Sequence, residues 1–207
     1  MRHLLLVSIL LPGIASSQTT RPNSPPPQPW IAIGACPGEG CSFGAWSACS
    51  TVVAIKEKRP GAPPAFTLRP GDRFTAVTGD VHVEVPGIVV FRDTISYVPE
   101  PWPPSQDTVP FRPGDTLYVL NYLGEGLLVW WFRGQADTGR VFWRDRPDRD
   151  LDSNRAGPAV LVRRPKAVWW VRVRNARGQQ GWVVPSYATL AGGSPHYDDG
   201  PERCAGP

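Results

Sequence analysis

Proline recurs along almost the whole of this chain, 25 times in 207 residues. Each one removes a backbone donor, and inside a helix it costs about 3 kcal/mol. No run of ten residues shows a convincing 3.6-residue apolar period, so long helices are excluded. The 21 glycines keep no three-residue period, which excludes a collagen. Disorder is excluded by content. The chain carries nine Trp, five Tyr and seven Phe, and 41% of its residues are hydrophobic. Disordered chains are poor in such side chains. What remains is an all-β fold of short strands and many turns.

The first residues read as an address. Met1-Arg2-His3 is followed by the apolar run Leu4–Leu11, then Pro12-Gly13 and the small residues Ala15-Ser16-Ser17. This is the layout of a secretory signal peptide cleaved after Ser17. The run is too short for a membrane span, which needs about 20 residues. Ile33-Gly34-Ala35-Cys36 has the small residues of a lipobox but lies too far from the apolar run to act as one. A secreted or periplasmic protein is expected, with no membrane insertion once the leader is removed. Loss of Arg2 lowers the formal charge from +4 to +3. The basic residues never form a block of five or more, so nucleic acid is not an expected partner.

All four cysteines, Cys36, Cys41, Cys49 and Cys204, follow the leader, and export permits disulfides. Four cysteines allow three pairings, and sequence does not choose among them. If all pair, one bridge is local and the other ties the C-terminus to the N-terminal segment. A zinc site is disfavoured, because Cys36-x4-Cys41-x7-Cys49 lacks the paired short spacing of zinc ribbons. No cofactor is expected.

Residues 18–41 read as a Pro-rich tether and a Cys-containing segment, the tether acting as a spacer. Strands are expected at Thr51–Ile55, Phe74–Val77, Val81–Val85 and Gly87–Phe91, with Thr78-Gly79-Asp80 separating the second and third. His82 and Glu84 alternate with valines, giving one wet and one buried face. A Pro-rich linker is placed at 99–109. Thr116–Leu120 and Leu127–Phe132 flank Gly124-Glu125-Gly126, a hairpin tip. Alternation requires at least one of Trp130 and Trp131 to be buried. Strands resume at Ala167–Arg174 and Gly181–Val184, and a loose Gly- and Pro-rich tail covers 191–207 apart from Cys204. One motif occurs twice, 43 residues apart: Leu68-Arg69-Pro70-Gly71-Asp72-Arg73-Phe74 and Phe111-Arg112-Pro113-Gly114-Asp115-Thr116-Leu117. Pro fixes the first turn corner, Gly supplies a positive φ at the next, and Asp bonds nearby N–H groups. The match reads as a structural repeat.

The most specific stretch is Trp169–Tyr187. Trp170, Arg172 and Arg174 alternate with Val171 and Val173, Asn175–Gly178 turns the chain, and Gly181-Trp182-Val183 returns it. Pro185-Ser186-Tyr187 makes a corner. This resembles the closing half of a bacterial SH3-like (SH3b) domain. The resemblance is close over residues 169–187 and suggestive over 43–190. It implies small SH3-like β-barrels, either two modules or one with a long insertion. Two are favoured: a degenerate module at 42–98 and a second at 110–190. By resemblance the ligand groove would use Trp169, Pro185 and Tyr187. Trp130, Trp131 and Trp143 form a candidate second aromatic surface for glycan or peptide.

Catalysis has little support. His82 lies in a strand pattern and His196 in the tail, and neither adjoins a marked nucleophile. Asp148-x-Asp150-x-Asp152-x-Asn154 has calcium-like spacing but carries Ser153 and Ala159 where an EF-hand needs Gly and Glu. The chain therefore reads as a non-catalytic exported binding protein for a peptidoglycan or envelope peptide, glycan or protein partner. A structural envelope protein without a small ligand, or an accessory or enzyme of wall hydrolysis, is the competing reading.

Overall fold

A computed structural model describes residues 23–38, 41–97, 109–124, 126–140, 158–186, 189–191 and Cys204. The leader, the linker core, Trp143, Tyr187, Glu125, His196 and the Asp148–Asn154 run lie outside the described residues. The strands are β1 (Trp30–Ile33), β2 (Gly44–Ala48), β3 (Val52–Ile55), β4 (Pro64–Leu68), β5 (Arg73–Val85), β6 (Gly87–Phe91), β7 (Ile95–Tyr97) and β8 (Val109–Phe111). They continue with β9 (Thr116–Gly124), β10 (Leu127–Phe132), β11 (Gln135–Arg140), β12 (Ala159–Arg163), β13 (Lys166–Asn175), β14 (Gln180–Val183) and β15 (Leu190–Ala191). The fold is all-β and barrel-like, and among the described residues no helix is long and apolar enough to cross a membrane.

The strands fall into two units of the same order. One runs β15-β2-β5-β13-β14-β3-β4, with β1 added to β5. The other runs β12-β6-β9-β10-β11, accompanied by the β7–β8 hairpin. The registers correspond residue by residue at the spacing of the repeated turn. Gly44↔Ala76 and Trp46↔Phe74 in the first become Gly87↔Val119 and Val89↔Leu117 in the second. Val52↔Leu68 becomes Ile95↔Phe111. The bulge between Arg172 and Val173 recurs between Val129 and Trp130. The two Arg-Pro-Gly-Asp turns also coincide. Gly71 and Gly114 both have φ +87°, and Asp72 and Asp115 each accept the Arg N–H three residues back at 2.8 Å.

The second unit lies wholly between β5 and β13 of the first. The chain enters it through the single buried residue Pro86 and leaves through Arg164-Pro165. At this joint Arg163 Nε donates to the Pro86 carbonyl at 3.1 Å. A Cβ on Gly87 would stand 2.9 Å from Pro165 Cδ and 3.1 Å from the Arg163 carbonyl, so only glycine fits there without displacement. The sequence boundaries at 98 and 110 are therefore not domain boundaries. The strands on either side of that stretch, β7 and β8, pair with each other. Local pattern locates strands but carries no record of partners eighty residues away.

Each unit has its own core. Trp46, Phe66, Phe74, Val171 and Val173 fill the first. Phe91, Phe111, Leu117, Trp130 and Phe132 fill the second, with the Phe91 and Phe111 rings stacked at 4.3 Å. A third cluster of Val81, Val83 and Leu120 joins them, covered by Trp30, Trp131 and Trp169. Two expectations change here. Thr78-Gly79-Asp80 does not end a strand, because β5 runs through it from Arg73 to Val85. The Pro-rich stretch is not a free spacer over residues 23–29, because Pro26 is buried and Asn23 and Ser24 bond to the second unit. Proline-rich backbone makes no internal hydrogen bonds, so its carbonyls are open to donors on a neighbouring surface.

The cysteines pair Cys36 with Cys41 and Cys49 with Cys204, at Cα separations of 6.1 and 5.0 Å. The sequence separations are 5 and 155 residues. In the chain-entropy account the long closure stabilises by about 5 kcal/mol and the short one by about 2 kcal/mol. Urea unfolding of a Cys49→Ser/Cys204→Ser double variant is expected to lose clearly more stability than Cys36→Ser/Cys41→Ser. Equal losses would contradict this ordering.

Candidate functional site

Of the residues that the sequence nominates, Trp169 and Pro185 fall within the described structure, and both are half-buried. Trp169 stands on the inner face of β13. Its ring meets Phe43 at 6.4 Å and Trp46 edge-on at 5.9 Å. Its Nε1 donates to the Ala35 carbonyl at 3.1 Å. Gly79 makes the space for it, since a Cβ there would overlap the indole nitrogen. The indole N–H of Trp169 is thus already committed to the chain's own N-terminal segment.

The second unit repeats this contact on an open surface. Trp130 is 2% exposed and belongs to the core, while Trp131 is half-buried on the opposite face, against Val81, Val83 and Leu120. Trp131 Nε1 donates to the Ser24 carbonyl at 2.9 Å. Asn23 fixes the same segment twice: its Nδ2 donates to the Thr116 carbonyl at 2.5 Å, and its Oδ1 accepts Arg133 N–H at 3.1 Å. Between the units, Asn121, 4% exposed, donates from Nδ2 to the Cys36 carbonyl at 2.9 Å. Residues 23–36 form a strap across both barrels, held through the Ser24, Ala35 and Cys36 carbonyls, the Asn23 side chain and the pairing of β1 with β5.

A charged cluster that sequence reasoning missed lies on the outer face of β5. Asp80 is 3% exposed. Its Oδ2 accepts the Lys58 ammonium at 2.5 Å and its Oδ1 accepts Gly34 N–H at 2.9 Å. Lys58, from the β3–β4 connection, also lies 4.8 Å over the Trp182 ring. Burial alone would raise the Asp80 pKa, but the Lys58 and Gly34 bonds together hold it below the usual carboxylate value. His82, two residues on, packs edge-on against Trp170 at 6.4 Å, and its Nε2 is buried without a partner. Burial, then the Lys58 charge, lowers its pKa; Asp80 and Glu84 oppose this. No local signal marks Lys58 as the partner of Asp80, since 22 residues separate them.

On the first barrel an open groove of about 720 Å³ is bounded by Phe66, Thr67, Arg69, Arg73, Arg177 and Gln179. Among the described residues, no group of three His, Cys, Asp or Glu side chains is placed to hold a metal ion. No protein-family model, curated protein or solved structure matches this chain.

His82 gives a pH test with a definite sign. Its folded pKa lies below the unfolded value of about 6.5. The neutral form is favoured by folding, so this stabilisation is complete above about pH 6.5 and is lost as pH falls toward the folded pKa. The melting temperature is expected to decline below about pH 6.5, and His82→Gln to flatten that part of the curve. Replacing Lys58 by Met leaves Asp80 without its ammonium. It should cost about 2–3 kcal/mol in urea unfolding, part of which Asp80→Asn in the same chain restores.

Proposed function

We propose that this is an exported, non-catalytic binding protein. In this reading two SH3-like barrels recognise a cell-wall or envelope peptide, glycan or protein partner through aromatic surfaces. The observation that supports it best is a pair of contacts. In each barrel an indole N–H takes a carbonyl of the extended N-terminal segment, Trp131 from Ser24 and Trp169 from Ala35. Extended Pro-rich chains are bound on aromatic surfaces in this manner because their carbonyls are unpaired and little ordering entropy remains to be lost. Both indoles are half-buried, but the Trp131 bond lies at the exposed surface and the Trp169 bond is partly buried. Trp131 replaces Trp169 as the residue on which this reading rests.

The leader-like start of the sequence and the two cysteine pairs at disulfide distance support an oxidising, extracytoplasmic location. The test is retention on purified cell-wall sacculi, with the melting temperature as a fold control. The wild-type chain is expected to be retained, and Trp131→Ala to lower retention about tenfold, equivalent to about 1.4 kcal/mol. A folded wild-type chain that is not retained, or a Trp131→Ala variant retained as well as wild type, would sink this reading.

A further inference from the structure

The duplicated barrels differ at one matched position, and the difference points to a second ligand. In the second barrel, the surface beside Thr116 and the β10–β11 hairpin tip is filled by the chain's own segment at Asn23 and Ser24. Thr116 corresponds to Arg73 of the first barrel through the repeated turn and register. The matching place in the first barrel is the groove beside Arg73 and the β13–β14 hairpin tip, and it is open. We propose that this groove binds an extended acidic segment of a partner polypeptide, its carboxylates held by Arg69, Arg73 and Arg177.

Charge selects the chemistry. Arg69, Arg73 and Arg177 are exposed, and among the described residues their guanidinium groups make no ion pair. The one carboxylate of the groove, Asp72, already accepts Arg69 N–H at 2.8 Å. In the second barrel the hairpin-tip arginine is instead engaged, since Arg133 lies 3.7 Å from Asp115 and over the Phe132 ring. Planar guanidinium forks suit bidentate carboxylate recognition.

The groove is also rigid before any ligand arrives. The Arg69 N–H is fixed by Asp72. The Asn175 side chain accepts both Arg177 N–H and Gln179 N–H at 3.0 Å. Holding the backbone at both arginines lowers the ordering cost of binding. A polypeptide, rather than a glycan, is the occupant because the twin position already holds extended polypeptide through its carbonyl and amide groups. In addition β4, which lines the groove, ends its strand order, and among the described residues one of its edges has no strand partner.

The experiment uses the full disulfide-bonded chain and fluorescence anisotropy. The probes are a short labelled peptide alternating glutamate and valine, its glutamine counterpart, and inorganic polyphosphate and polygalacturonate as competitors. The acidic peptide is expected to bind, and the glutamine peptide to bind at least about tenfold more weakly. Arg73→Glu and Arg177→Glu should each weaken binding about tenfold. Arg92→Glu, the same charge change on the second barrel, should leave it within about twofold. If Arg73→Glu does not fold, Arg177→Glu on the exposed tip carries the test. The proposal is overturned if the acidic peptide does not bind, or if the groove variants bind it like wild type. It is also overturned if either backbone-free polyanion competes as well as the peptide at matched charge.

Discussion

One barrel can sit inside another only where the host chain leaves and returns at adjacent points. Here that constraint is met at Pro86, Gly87 and Pro165. β5 and β13 run side by side up to Val85↔Lys166, and the guest begins at Gly87, with Pro86 alone between. The absence of a side chain at Gly87 lets the two connections touch. Glu84 and Lys166 approach to 3.3 Å across the same joint, but both are exposed, so this pair contributes little. Steric fit at the joint, rather than charge, sets how the barrels meet. The shared cluster of Val81, Val83 and Leu120 then follows from strands that already lie together.

The strap uses that joint. Once β5 and β9 are neighbours, one extended segment can pair with β5 through β1 and still reach Thr116 and Trp131. A polyproline segment suits the task because its backbone groups have no competing partner. The barrels differ around this occupancy. The second offers an indole and backbone groups to the strap. The first offers arginines at the corresponding place.

What could be read from sequence was local. The Arg-Pro-Gly-Asp turns were legible because φ restriction, a left-handed glycine and an Asp-to-amide bond all act within four residues. The hairpin at Asn175 and the outward–inward split of Trp130 and Trp131 were legible for the same reason. The nesting was not, because pairing of β5 with β13 depends on contacts across eighty residues. Thr78-Gly79-Asp80 reads locally as a break between two strands. Its glycine instead makes room for Trp169, and its aspartate bonds Lys58 and Gly34. Trp169 was nominated by its position in a hairpin, which fixes its face but not what covers it. Arg69, Arg73 and Arg177 gave no charge block, since they converge only through the barrel.

The nesting also imposes an order on assembly. A chain delivered from its N-terminus presents β2 to β5 first, then every strand of the inner barrel, and only afterwards β13 to β15. The inner barrel is therefore complete while the outer one still lacks its centre, and the long edge of β5 must wait for a partner. Unpaired edges invite association with other chains. During that interval β1 and β2 share one edge of β5, from Asp80 to Val83 and from Arg73 to Ala76, so the strand waits for β13 along its other edge alone.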